Sequence, residues 1–371
     1  MRKLNVSRRM LDAVRRFGFK QWFLLVLNVA LVLGAAGCAL GLRSVSNTLE
    51  ALRGADQFRG GSDTRFAQLA CYLPVDGGKT EEDMLSFRRT LDSKLEEQAL
   101  KAPEGGSLYI DAYYGAESVS VSSGSSGSTT VKAVGVGGDF FYFHPYRLRS
   151  GSYISADDLM DDLVVLDEEM AWKLFGGVEL AGMTVFINNQ PFVVAGVISR
   201  EEDFASARAY TGDGGVFMSF SAMHGLTEDA SITGYEIIMP DPITNFAKGI
   251  LEDSFPIGEG DVVENSSRYT LGHLLEVIRS FGLRSMRTNG VIYPYWENAA
   301  RLTEDYAALL LLLAALLALY PALFVLVLAI RQIRRTYRLA KVRIPEKVEA
   351  VVEKRKEERL ERQFEKKNGG E

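Results

Sequence analysis

Residues 163–198 read LVVLDEEMAWKLFGGVELAGMTVFINNQPFVVAGVI, and their order of elements sets the fold class. Residues 163–166 are continuously apolar and suit a buried strand. Asp167 then supplies an N-cap oxygen, DEEMAWKLF carries apolar residues at helical spacing, and Gly176-Gly177 closes the helix. Residues 183–187 and 192–198 are two apolar-rich strands around Asn188-Asn189-Gln190-Pro191, the composition of a hairpin turn. A strand, a helix and a hairpin in immediate succession define a mixed, α+β domain.

The same pattern extends outward. On the N-terminal side, strands are predicted over 66–73, 107–114, 118–122 and 130–136, with a flexible Gly/Ser loop at 123–129. Thr80 and the acids after it open a helix to about residue 100, with Met84, Leu85, Phe87, Leu91, Leu95 and Leu100 facing inward. Ser155-Ala156-Asp157-Asp158 is read as the start of a short helix. On the C-terminal side, strands at 215–220 and 235–239 and helices at 243–255 and 271–281 complete the domain.

Two uncharged apolar runs flank it. Residues 22–42 span roughly 31 Å as a helix, the thickness of a bilayer core, and residues 307–330 are longer still, with Pro321 expected to kink them. Residues 45–53 read as a continuation of the first helix, broken by the Gly- and Asp-rich stretch 54–64. Charge is segregated around the runs. Residues 1–21 and 331–371 each carry about +6, which leaves about −18 on residues 43–306 of a chain whose total is −6. Arg15, Arg16 and Lys20 precede the first run, and Arg331, Arg334 and Arg335 follow the second. Positive flanks stay in the cytoplasm, so both termini are expected inside and residues 43–306 outside a bacterial plasma membrane. Tyr293, Tyr295, Trp296 and Tyr306 read as an aromatic belt at the outer surface. Residues 1–21 are either an amphipathic helix on the inner leaflet or a plain topology anchor. Cys38 after Ala35-Ala36-Gly37 leaves open a lipoprotein signal, although the apolar run continues past it. Cys38 and Cys71, the two cysteines, are expected to be unpaired.

Segments VKAVGVGGDFF (131–141), RLRSGSYISADDL (147–159), DLVVLDEEMAWKLFGG (162–177) and GMTVFINNQPFVVAGVI (182–198) together resemble the MacB-type periplasmic core domain of FtsX/MacB-class ABC transporter permeases. Gly151, Leu166, Ala171, Leu174, Phe175, Gly176, Gly182, Gly196 and Val197 fill the motif. Their chemistry is that of a scaffold: glycines for turns and close packing, apolar residues for a core. The resemblance implies a βαβ-type, porter-like subdomain with an inserted mainly-β subdomain. It also implies an ABC ATPase as partner. Permeases of this class carry three spans after the domain. One apolar run follows it here, so a second permease subunit is the expected complement.

Chemistry is sparse. Gly77-Gly78-Lys79-Thr80 lacks the leading glycine of a phosphate loop, since Leu73 holds that position. His144, His224 and His273 have no ligand spacing, and Asp157, Asp158, Asp161 and Asp162 do not follow a calcium-loop pattern. No catalytic residue, metal or cofactor is expected, and the chain is read as not an enzyme. The mixed-charge tail, KVEAVVEKRKEERLERQFEKK, suits an exposed helix and does not imply nucleic acid. The expected role is a lipid-embedded subunit relaying conformational change between a cytoplasmic ATPase and an outer domain, by mechanotransmission or export. The alternative is a membrane-anchored binding or sensory module without an ATPase.

Overall fold

In a computed structural model the described residues are 18–100, 106–124, 127–210, 213–284, 286–287 and 290–368. Residues 1–17, which include Arg15 and Arg16 and most of the segment read as an amphipathic helix or a topology anchor, therefore lie outside them. The chain divides into two units: Gly41–Leu310, and the helical segments on either side of it.

Helix α1 (Phe19–Ser46) forms because no charge interrupts its apolar run, and none of its residues is buried. Its polar Asn28 turns its amide back to the Leu24 carbonyl, 2.7 Å away, which spares the group a search for water. The helix stops at Ser46 instead of reaching residue 53. The Ser46 and Thr48 hydroxyls donate to the carbonyls of Arg43 and Ser44, and Leu49 is extended. A 3-10 turn, Glu50–Arg53, leads into α2 (Gly54–Arg59), a helix where a break was expected. Gly54 explains it: a Cβ there would stand 3.0 Å from Ile238 Cδ1, so glycine lets this short helix lie directly on the sheet.

Strand β1 (Phe66–Tyr72) is followed by α3 (Glu81–Glu97), which opens on a reciprocal cap between Thr80 and Asp83. Met84, Phe87, Leu91 and Leu95 are buried, whereas Leu85 is half exposed. Strand β2 (Ile110–Ser122) is one long strand where two were expected, and it pairs antiparallel with β3 (Thr129–Gly138). Helix α4 (Phe140–Phe143), β4 (Arg147–Gly151), β5 (Leu163–Asp167), α5 (Glu168–Phe175), β6 (Thr184–Ile187) and β7 (Gln190–Ser199) come next. Residues 155–158 form a turn rather than a helix, in which the Asp158 carboxylate accepts from the Ser155 N–H at 2.8 Å and the Ser155 hydroxyl from the Asp157 N–H at 3.2 Å. Between β6 and β7, Asn188 and Asn189 both adopt positive φ (48° and 65°), as a two-residue hairpin turn requires. The remaining elements are α6 (Phe204–Ala209), β8 (Asp213–Ser219), α7 (Phe220–Leu226), β9 (Gly234–Pro240), α8 (Phe246–Ser254), β10 (Asp261–Glu264), α9 (Leu271–Ser280) and α10 (Tyr295–Asn368). The last runs as one helical element through Pro321, although proline deprives a carbonyl one turn back of its donor.

The strands form one sheet in the order β10-β1-β9-β2-β3-β8-β5-β7-β4. The short strand β6 pairs with both β7 and the far end of β2. The strands β2, β3, β8, β5, β7 and β6 thereby form a closed circuit, while β9, β1 and β10 extend it as an open sheet from the near end of β2. The two parts share β2 and belong to one unit. Alternation assigns each strand's residues to two cores. Leu69, Cys71, Val164, Leu166, Val216 and Met218 pack with α3, α5, α7 and α8. Ala70, Tyr72, Val134, Val165 and Phe217 pack with α2, α4 and the residues that begin α10.

Cys38 and Cys71 are free thiols. Cys71 is fully buried, and burial, with Glu252 and Glu236 nearby, pushes its pKa far up. A maleimide at pH 7.5 is expected to leave Cys71 unmodified in the folded protein and to label it after denaturation, as read by peptide mass spectrometry.

Candidate functional site

The densest polar constellation lies where α10 begins. Glu297 and Glu304 are seven residues apart, two helical turns, and so share a face. Both are buried, and Arg268 fills the space before them with 1% exposure. Its guanidinium donates to Glu297 Oε2, to Glu304 Oε1 (2.6 Å) and to Asn265 Oδ1 (2.8 Å). From β1 the Tyr72 hydroxyl donates to Glu297 at 2.8 Å. Glu304 also pairs with Arg284 and with His273 Nε2 (3.2 Å) on α9, and Arg284 reaches Asp305 at 2.7 Å. One planar, always-charged fork thus ties β1, the turn at 265–268, α9 and α10 together.

The electrostatics are unequal. Burial alone would raise the Glu304 carboxyl, but Arg268, the His273 hydrogen bond and Arg284 outweigh it and hold that carboxyl well below the usual range. At Glu297 burial prevails over Arg268, and its pKa is raised. Arg268 remains a cation, since Glu297 and Glu304 more than offset its desolvation.

Beside this hub a cavity of about 230 Å³ opens within the 41–310 unit. His144 and Glu236, both buried, meet on its wall with Nε2 and Oε1 at 3.2 Å. Glu201 also lines it and accepts from the Tyr295 hydroxyl at 2.9 Å, and Tyr295 in turn contacts the Tyr146 hydroxyl at 2.8 Å. Trp296 closes one side, its ring 4.7 Å from that of His144. Tyr293 and Tyr295 are buried in the domain, and Trp296 packs on Tyr114 and Phe140. These three are core residues rather than a membrane-surface belt, because their rings complete the second core. Tyr306 accepts from Arg208 and packs against Phe204.

The residues singled out in the sequence lie elsewhere. Gly151 and Gly196 stand opposite each other between β4 and β7, and Leu166 pairs with Val197 between β5 and β7. Ala171 and Leu174 are buried under α5, Phe175 packs at its edge, and Gly176 and Gly182 have positive φ. Lys20 lies in α1, and Arg331, Arg334 and Arg335 lie in α10, all exposed. Arg268, Glu297, Glu304, Glu201 and Glu236 were not anticipated. The only local signal was the two-turn spacing of Glu297 and Glu304 just before an apolar run. Among the described residues no group of three or more His, Cys, Asp or Glu is arranged to hold a metal.

The fold therefore defines a mixed α/β unit, preceded and followed in sequence by a helix long and apolar enough to cross a membrane. The chain belongs to the family of the MacB-like periplasmic core domain, whose model matches residues 27–244. A macrolide export ATP-binding/permease protein MacB of Neisseria gonorrhoeae is 25% identical over 178 residues, 44% of this chain. One of the same description from Aggregatibacter actinomycetemcomitans is 30% identical over 115 residues, or 28% of this chain. The chain spans about a quarter or less of these relatives, 27% and 18%. Among solved structures, the periplasmic region of MacB from Actinobacillus actinomycetemcomitans is 18% identical, with a TM-score of 0.39 over 65% of this chain and 99% of that one. The extracellular domain of the transporter YknZ from Gram-positive bacteria is 16% identical, with a TM-score of 0.35 over 54% of this chain and 100% of that one.

Proposed function

We propose that the chain is a membrane subunit of a MacB/FtsX-like ABC system that relays conformational change between a cytoplasmic ATPase and the 41–310 unit. In this reading residues 22–42 and 307–330 cross a bacterial plasma membrane, both termini are cytoplasmic, and residues 43–306 face outward. A second permease subunit completes the transmembrane part. The observation that supports it most directly is that α10 carries both the buried carboxylates Glu297 and Glu304 and the apolar run at 307–330 in one helical element. A displacement of the apolar segment along its axis would act on the ionic hub without an intervening loop. The relatives' description as ATP-binding/permease proteins supports the ATPase partner. ATP hydrolysis would belong to that partner, and the chain itself would turn nothing over.

Purification of the full chain from its native membrane in mild detergent is expected to bring down an ATPase subunit. Protease added to intact cells is expected to cut residues 43–306 and to spare the tail. A lone chain indifferent to ATP would speak for an anchored binding module, and a protected 43–306 segment with a cut tail would overturn the orientation.

A further inference from the structure

Helix α9 is apolar over a wider arc than the domain covers. Leu274 and Val277 are buried in the 41–310 unit. Beside them Leu271, Leu275 and Ile278, at i, i+4 and i+7, form a second stripe. Leu271 is 63% exposed and Leu275 43%, and Ile278 is half-buried. Past a 3-10 turn at Phe281–Leu283, Leu283 and Met286 stand 86% and 52% exposed. Apolar residues scattered singly over a surface are ordinary, but a concentration of this kind marks an interaction surface.

The helix to which α9 is bonded indicates what covers it. The Tyr269 hydroxyl meets Thr303 Oγ1 at 2.7 Å, and His273 Nε2 meets Glu304 at 3.2 Å. Arg284 donates to Asp305 at 2.7 Å and to the Arg301 carbonyl at 3.3 Å. Partners from both ends of the segment thus converge on residues 301–305, about one turn of α10, and hold it at one level of that helix. Glu304 precedes Ala307, where the apolar run starts, by three residues or ~4.5 Å. The headgroup layer of a bilayer is about 5–7 Å thick on each side, so a crossing of 307–330 sets α9 within it. The other apolar run meets the unit at the same height, since a Cβ on Gly41 would stand 3.4 Å from Leu310 Cδ1. Arg279, one turn after Leu275, and Arg43, at the end of α1, are both exposed. An apolar stripe bordered by cations suits a helix lying in a membrane interface.

We propose that α9 lies in the outer leaflet of the membrane, its occupant being lipid: Leu271, Leu275, Leu283 and Met286 reach the acyl-chain boundary, and Arg279 and Arg43 meet lipid phosphates. The inference rests on the reading that residues 307–330 cross the bilayer. It adds a reference point to the relay, because the hub carboxylate Glu304 is bonded to an element held at the leaflet surface, which then sets the depth of α10.

The test uses the full chain in vesicles of phosphatidylethanolamine and phosphatidylglycerol, in a Cys38→Ala background, where the remaining Cys71 is buried. Nitroxide labels are placed one at a time through Leu275→Cys on the stripe, Glu276→Cys on the polar side of the same helix and Leu316→Cys within the apolar run. All three positions are exposed in the protein, so the labels leave the fold intact, which an unchanged melting temperature verifies. Accessibility to oxygen, which concentrates in lipid, is compared with accessibility to a water-soluble nickel chelate present on both sides. The oxygen-to-nickel ratio at Leu275 is expected to exceed that at Glu276 at least three-fold and to approach that at Leu316. Equal ratios at Leu275 and Glu276, with lipid contact at Leu316, would overturn this inference alone and leave the span in place. A Leu275 label shielded from both reagents would overturn it too, with a protein partner or a second copy as the occupant. Water access at Leu316 would overturn the span and the inference together.

Discussion

Replacing Arg268 by Met is expected to destabilise the 41–310 unit by about 3–5 kcal/mol, the cost typical of breaking a buried ion pair from one side. Met fills similar space, so the loss is electrostatic: Glu297 and Glu304 stay buried while their shared cation is gone. Thermal unfolding at pH 7.5 is expected to fall by on the order of 10 °C. The deficit should shrink as pH drops. Glu304, held low by its cations against burial, contributes stability above its ordinary value of 4.5 and loses it as pH falls through its folded value. Adding Glu297→Gln and Glu304→Gln to Arg268→Met should recover part of the loss, because a neutral network leaves no stranded charge. An unchanged melting temperature in the single variant would show that the hub holds nothing together.

Gly196→Ala is expected to cost about 3 kcal/mol or more, while Gly176→Ala costs about 1 kcal/mol, although the sequence reads both glycines alike, as scaffold residues for turns and close packing. A Cβ on Gly196 would stand 2.3 Å from Ser152 O, 2.8 Å from Ser150 O and 2.9 Å from Ser152 N. All three are backbone atoms of β4 and the residue beyond it, so no rotamer relieves the clash. Its partner Gly151 is doubly constrained, with φ of +70° and a would-be Cβ 2.0 Å from Ala195 O. Gly176 has φ of +72° but open space around it, so alanine there meets only the left-handed backbone penalty. Denaturant titration in detergent ranks the two, and equal losses would contradict this account.

The contrast also shows what a single sequence carries. Gly176 was legible as a helix stop because capping is local: Asp167, the apolar spacing and the glycine lie within ten residues. The Asn188-Asn189 hairpin was legible for the same reason. The break expected between strands 107–114 and 118–122 is absent, and Gly115 sits inside β2. A Cβ there would stand 2.2 Å from Ser231 O, so the residue serves a close approach from distant chain. Strands β4 and β10 escaped notice because RLRSG and DVVE are short and have little apolar alternation. The site was hidden more deeply. Arg268 meets partners 29 and 36 residues away, and each of those charges alone reads as ordinary solvated surface.

The circuit of strands closed by β6 has a mechanical consequence. A strand at a free margin peels bond by bond, but a loop of strands offers no end at which to start. Tension entering through the chain should strip the open flank first, beginning with the four-residue margin β10 and then β1. The loop should yield later and in a single event, since opening it severs β6 from β2 or β7. Stretching one molecule by its ends would record that as a soft step followed by a hard one.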